Sequence, residues 1–457
     1  MKKLSIALLV MIFAASFAAA QSDAELRAVV AKDKTSRDAA GKLLSLTAAE
    51  HAERGEVYFE NRHFPEAREH FQIVLDKYAD DPLFARAMFV VGRSFMWERQ
   101  YANAIVWLDR VSREFPATKD GREALAFKGA CHVRLNKHAD AAKIYEQYTV
   151  MYPTGERLDS AYLNTIDALR EAGNYDGANT WVDRAQQRFA GTPIETNALH
   201  ARVRMEIYRQ RWPEAVAAAD VMLAHAAFGG SMSTMDEVKY LKAFALEKSG
   251  RRADAMAVYA SIPENSASYY AGLAADKLAV PDKRVRRIVQ ISPSVLAAFP
   301  AAYRDDVLRY AKKKHVDPRF VLAIMKQESA FRPGAKSPSA ARGLMQFVFD
   351  TAIKYKNKAG FPALQPDDLY LPAVSIALGV EYIAALRDQF GGLNEAIAAS
   401  YNGGEDNAAR WLNRSNPKEP AIFASEVGFA QTKDYVQKVL ANYRIYRDLY
   451  DDNLVRR

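Results

Sequence analysis

The sequence predicts an all-α protein with two architectures in series: a superhelical array of helix pairs, then a separate helical domain. Three observations predict this. A unit of about 37 residues recurs through the middle of the chain. Apolar residues follow helical spacing in both halves, with no convincing alternating run. The recurrence stops near Leu278 and does not return.

The chain has 457 residues, which is long for one core and points to more than one domain. Its first twenty residues read as a secretory signal over 1–20. Lys2 and Lys3 form the positive start, Leu4 to Phe17 the short apolar stretch, and Ala18-Ala19-Ala20 the small-residue cleavage site. No cysteine follows that site, which argues against a lipid anchor there, and no later stretch approaches a membrane span. The expectation is an exported, soluble periplasmic protein with no membrane span after signal removal. The net charge of +8 suits an anionic polymer. There is no basic block with interleaved aromatics, so nucleic acid is not expected. Cys131 is the only cysteine, so no internal disulfide is expected.

Residues 21–278 carry the array. A bulky or polar residue precedes an alanine by three positions at Phe64/Ala67, Tyr101/Ala104, His138/Ala141, Tyr175/Ala178, Trp212/Ala215 and, weakly, Arg252/Ala255. The alanines are 37, 37, 37, 37 and 40 residues apart. Gly55, Gly92 and Gly129 recur at the same interval, as do Phe71, Leu108 and Tyr145. A fixed period of this size means stacked supersecondary units. Each unit reads as two antiparallel helices, with small residues allowing close approach and bulky ones filling the gap. One unit cannot bury its own face, so neighbours must stack. The order Gly, bulky residue, Ala, aromatic resembles the tetratricopeptide family. Such arrays bind partners or position another domain, which leaves a protein partner on the repeats open.

Residues 279–301 read as a linker, with Pro281, Pro293 and Pro300 around the basic run Lys283 to Arg287. Residues 302–450 form the second domain. It has no HExxH, no metal-spaced Cys/His cluster, no GxSxG, no phosphate loop and no dinucleotide fingerprint, so no metal and no cofactor are expected. Asp317-Pro318 is a helix start, and the helix should stop before Pro333-Gly334. Glu328 lies on the apolar stripe of that helix, in line with Val321, Ile324 and Met325, at its C-terminal end. Burial and the helix dipole both favour the protonated carboxyl, as a general acid near neutral pH requires. A glutamate that simply caps the stripe and reaches water is the bland alternative.

Further residues make the reading specific. Glu328-Ser329-Ala330-Phe331, Ser337-Pro338, Gly343-Leu344-Met345-Gln346 and Thr351-Ala352 stand in order. Tyr401-Asn402-Gly403-Gly404, Arg410-Trp411 and Glu426-Val427-Gly428-Phe429 with Thr432, Tyr435 and Val436 follow. Together they resemble the soluble lytic transglycosylases, whose catalytic domain is lysozyme-like. Ser268-Tyr269-Tyr270 with Ala274-Ala275-Asp276 is similar to the junction ahead of that domain in larger members.

The resemblance implies a lysozyme-like catalytic domain acting on peptidoglycan glycan strands, with Glu328 as the single acid and then base. It would protonate the oxygen between N-acetylmuramic acid and N-acetylglucosamine, then deprotonate the muramyl 6-hydroxyl as it closes on C1. Ser337, Gly343, Met345, Gln346, Tyr401 and Asn402 would contact substrate. Ser337 or Tyr401 would orient Glu328, and Gly343 and Gly403 would let the backbone approach the glycan. The chain departs from the family pattern at Ala340, at Val348-Phe349, at Ser375, and at Gly428, Gln431 and Lys433. A lysozyme-type hydrolase and a non-catalytic wall-binding scaffold are the alternatives.

Overall fold

In a computed structural model of the chain, residues 24–44, 46–279 and 293–457 are described. The expected signal and the basic run of the expected linker lie outside them. All regular structure among the described residues is helical. The only β pairing there is three isolated bridges.

A helix over residues 24–35 (α1) precedes the repeats. The pairs then follow: α2 (Ala48–Glu60) with α3 (Phe64–Lys77), α4 (Phe84–Trp97) with α5 (Tyr101–Glu114), and α6 (Lys119–Arg134) with α7 (His138–Met151). Next come α8 (Leu158–Glu171) with α9 (Tyr175–Arg188), α10 (Pro193–Tyr208) with α11 (Trp212–His225), and α12 (Met235–Lys248) with α13 (Arg252–Ala260). The six residues that mark the period in the sequence are the first residues of α3, α5, α7, α9, α11 and α13.

The small-against-bulky expectation is met atom by atom. A Cβ on Gly55 would lie 2.7 Å from the Phe71 ring, one on Gly129 2.7 Å from Tyr145, and one on Gly92 3.2 Å from Leu108. Within each pair, the turn is made by a residue with positive φ: Arg62, Arg99, Asn136, Gly173, Gln210 and Gly250. Cys131 is fully buried beside Met88 and Leu108, a small core residue.

The chain divides into two compact units. One is built from the chain up to Trp181 together with Lys336–Ala341, the other from Val182–Ala335 and Arg342–Arg457. In the first, α3 stacks on α4, α5 on α6 and α7 on α8.

The second unit adds α14 (Tyr269–Leu278), a short α15 (Pro293–Ala298) inside the expected linker, α16 (Arg304–Lys313), α17 (Pro318–Ser329), α18 (Phe349–Ala359), α19 (Pro372–Gln389), α20 (Asn394–Gly403), α21 (Glu405–Arg414), α22 (Pro420–Glu426) and α23 (Ala430–Leu449). The central α19 is buried on nearly every face from Val374 to Ala384, as an all-round apolar helix must be. Helix α17 packs along α23, and α20 packs on both α21 and α23. Helices α10 and α12 reach α22, and α14 reaches α23. At that junction the Tyr269 hydroxyl donates to Glu395 at 2.9 Å, and Tyr270 donates to the Ala421 carbonyl at 3.3 Å. No helix among the described residues is long and apolar enough to cross a membrane.

Candidate active site

Helix α17 begins as its sequence dictates. Asp317 is the N-cap and accepts from Arg319 N, with Pro318 at the first helical position. Its carboxylate also takes the Tyr443 hydroxyl at 2.8 Å, which ties the start of α17 to α23. Val321, Ile324 and Met325 are fully buried, so the stripe that carries Glu328 faces the core. The helix ends at Ser329, followed by Ala330 and Phe331 in left-handed conformation with φ of 48° and 63°. Two consecutive non-glycine residues there turn the chain sharply away beside Glu328. That is the kind of strained backbone that persists only where the surroundings enforce it.

Glu328 is half-buried, as the stripe predicts for a residue at its edge. Loss of water around its carboxyl pushes its pKa from 4.5 up to about 7, against the pull of a hydrogen bond from Tyr435. That bond is 2.6 Å, from the Tyr435 hydroxyl to Glu328 Oε1. No charged group among the described residues contributes to the titration of Glu328. A carboxyl in this setting is protonated for much of the time at neutral pH and can give its proton to an oxygen that arrives beside it.

The sequence motifs converge on this carboxyl in part. Tyr401, on α20, is near enough for Glu328 to raise its phenol further above 10 after burial has done so. Its hydroxyl, however, donates to the Met345 carbonyl at 2.8 Å. The group that meets Glu328 is therefore Tyr435. The sequence placed Tyr435 in the last motif without giving it this role.

Met345 is fully buried, and its backbone N–H donates to Ser375 Oγ at 3.1 Å. Its side chain fills the space over Gly379, where a Cβ would lie 2.6 Å from Met345 Cε. Met345 thus contributes core packing and a carbonyl. Ser375, noted in the sequence only as a departure, is the residue that holds that loop.

Gln346 sits at φ 48°. Its amide nitrogen donates to the Ala335 carbonyl at 3.0 Å and to the Gly343 carbonyl at 2.8 Å. Two carbonyls around one end of the amide fix that end as NH2 and leave the oxygen as the acceptor. Gly343 has φ +79°, and a Cβ there would lie 1.9 Å from the Leu369 carbonyl oxygen. It is required by backbone packing.

Asn402 is exposed, and its Oδ1 accepts from the Thr432 hydroxyl at 2.8 Å, joining α20 to α23. Gly403 is pressed between Thr432 and Trp411, each about 3.1 Å from a Cβ placed there. Ser337 belongs to the other compact unit, where its hydroxyl oxygen accepts from Ala341 N at 3.1 Å. No cluster of His, Cys, Asp or Glu suited to a metal ion occurs among the described residues.

Comparison with known proteins places this geometry. The transglycosylase SLT domain family matches residues 306–423, and a tetratricopeptide repeat family matches 52–119 and 132–193. The chain therefore carries an SLT transglycosylase domain preceded by tetratricopeptide repeats. It is 35% identical over 151 residues to the soluble lytic murein transglycosylase of Salmonella typhimurium, covering 33% of this chain and 23% of that protein. It is 37% identical over 147 residues to the membrane-bound lytic murein transglycosylase C of Yersinia enterocolitica, covering 29% of this chain and 39% of that one. The chain thus matches less than half of either relative's length. An inactive variant of the lytic transglycosylase Slt of Pseudomonas aeruginosa shares the fold with TM-score 0.54 at 20% identity, over 87% of this chain and 72% of that one. The 70 kDa soluble lytic transglycosylase of Escherichia coli does so with TM-score 0.51 at 19% identity, over 88% and 81%.

Proposed function

We propose that this chain is a peptidoglycan lytic transglycosylase of the periplasm, with residues 1–20 as export signal, 21–278 as repeat array, 279–301 as linker and 302–450 as catalytic domain. The observation that carries the reading is Glu328: a carboxyl raised to about 7 by burial, held by one tyrosine, inside an SLT domain. The names of the relatives that match this domain support the substrate.

In this reading, protonated Glu328 gives its proton to the glycosidic oxygen between N-acetylmuramic acid and N-acetylglucosamine. The C1–O bond breaks and the N-acetylglucosamine hydroxyl leaves. The Glu328 carboxylate then takes the proton of the muramyl 6-hydroxyl as O6 bonds to C1. The product end is 1,6-anhydromuramyl, no water is consumed, and the acid is regenerated. A glycosidase that hydrolyses with two protein carboxylates needs a second one to activate water or to capture C1. The lack of any charged partner acting on Glu328 among the described residues fits the one-carboxylate route. Tyr435 keeps the acid aimed. The Gln346 amide oxygen and the Asn402 amide nitrogen offer hydrogen bonds to acetamido groups.

The test is digestion of purified sacculi followed by mass analysis of the muropeptides. Anhydro ends, one water lighter than hydrolysis products, are expected from the parent protein. Glu328→Gln should lower their release by about 10³-fold, within the range for loss of a general acid. Hydrated ends in place of anhydro ends would make the protein a lysozyme-type hydrolase. Undiminished clearing by Glu328→Gln would remove the acid assignment altogether. Because the acid must be protonated, the rate should fall as pH rises through about 7.

A further inference from the structure

Two buried ion pairs clamp the stretch of chain that delivers Tyr435 to Glu328. Both draw one partner from the helix-pair segment. Glu426, at the end of α22, meets Arg204 of α10 at 2.9 Å, with Arg414 of α21 on its other side at 3.3 Å. Seven residues on, Lys433 in the first turns of α23 meets Glu237 of α12 at 2.7 Å. Glu237 is fully buried and Lys433 is 2% exposed. His200 of α10 faces the same Glu237 oxygen at 3.2 Å.

On a helix, residues two apart point to nearly opposite sides. Lys433 therefore reaches back to α12 while Tyr435 reaches forward to α17. Thr432, immediately before Lys433, holds Asn402 of α20 at 2.8 Å. One turn of α23 thus joins α12, α20 and the candidate acid.

We infer that Glu237, a residue of the helix-pair segment, positions the catalytic acid: it fixes Lys433, and with it the turn of α23 whose Tyr435 orients Glu328. The inference rests on Glu328 acting as proposed above. Stability alone does not account for the pair, because well-packed apolar residues generally replace a buried ion pair at no loss. What an ion pair adds is a fixed distance and direction, as a positioning contact requires. Position matters here, since a misplacement of about 1 Å at a reacting group can lower a rate by about 10²-fold.

The experiment uses the full chain with three variants: Glu237→Asp, which keeps the charge but withdraws it by one methylene; the double variant Glu237→Gln/Lys433→Met, which leaves no buried charge unpaired; and Lys433→Arg, which retains the pair. Two readouts are taken: the pH–rate profile on purified sacculi, and the Glu328 carboxyl titration by NMR with ¹³C-labelled glutamate, assigned with Glu328→Gln. In Glu237→Asp and the double variant, kcat should fall about tenfold with KM little changed. The Glu328 titration and the basic limb of the profile should both move to higher pH, because the bond from Tyr435 that holds the carboxyl down is loosened. Lys433→Arg should keep parental values. Parental kcat and parental titration in folded Glu237→Asp would overturn the inference. The titration reads positioning without turnover, so a parent protein that releases no anhydro ends would refute the proposed reaction and still leave this inference decided by the NMR arm.

Discussion

Two buried carboxyls of the second compact unit, Glu328 at the end of α17 and Glu237 on α12, are shifted in opposite directions. Burial is the largest influence on both and raises both. At Glu328 only a tyrosine hydroxyl opposes it, and the pKa stays at about 7. At Glu237, Lys433 first and His200 second outweigh it, and the pKa falls to about 2. His200 is itself brought down to about 4 by burial and the nearby lysine, so it faces Glu237 as a neutral ring above that pH. Burial of a carboxyl therefore does not decide its charge; the partner does. The one met only by a neutral hydroxyl holds a proton to give away, and the one met by a cation holds that cation in place.

The largest effect expected from this contrast is on Lys433. In Lys433→Met, Glu237 remains buried with its cation gone. That should cost about 3 kcal/mol or more of stability at pH 8, as for other buried pairs cut on one side. Denaturant titration of the full chain would measure it. A loss under about 1 kcal/mol would mean that water or another group reaches Glu237, and the contrast with Glu328 would fail.

Much of this molecule was legible in the sequence, and the limits follow from distance along the chain. The repeat was legible because one steric demand recurs in the first three pairs: Gly55, Gly92 and Gly129 must make room for Phe71, Leu108 and Tyr145. The left-handed turn residues recur just as regularly, yet they went unseen because Arg62, Arg99, Asn136 and Gln210 share no chemistry. The start of α17 and the inward placement of Glu328 were legible because capping and stripe are local.

The partners of Glu328 and Glu237 were not. Tyr435 lies 107 residues after Glu328, and no spacing rule connects them. The Gln346 amide and Tyr401 hydroxyl hydrogens go to backbone carbonyls of the surrounding loop, a requirement visible only once the loop is closed. Lys433 stood out only as a departure from the family pattern, and its meaning lies on α12.

The next effect is of opposite sign. Unfolded, Glu328 titrates near its ordinary 4.5; folded, near 7. The folded state therefore binds this proton more tightly. Its stabilising contribution is complete below pH 4.5 and is lost as pH rises through about 7. Glu328→Gln removes the penalty of the buried anion, so the variant should be more stable than the parent by about 2 kcal/mol at pH 8, with the gain vanishing near pH 4. Melting curves at the two pH values would measure it. An equal gain at both would assign the effect to packing rather than charge.

The smallest effect belongs to Tyr435→Phe, and it tests what separates Glu328 from a merely buried acid. The substitution keeps the ring, which is 5% exposed, and removes only the hydroxyl that donates to Oε1. The ring still packs, so the stability cost should be about 1 kcal/mol, the size of one hydrogen bond. The carboxylate loses its one stabilising donor while burial is unchanged, so Glu328 should titrate higher than in the parent. Two consequences diverge. The window in which the acid is protonated widens, carrying the basic limb of the rate profile upward. The carboxyl is also freer to rotate, so the plateau rate should fall. A fall in plateau with an unmoved limb would mean that the tyrosine contacts substrate rather than the acid. An upward limb with an undiminished plateau would mean that the α17 backbone alone aims Glu328, and that the left-handed pair Ala330-Phe331 is sufficient to hold it there.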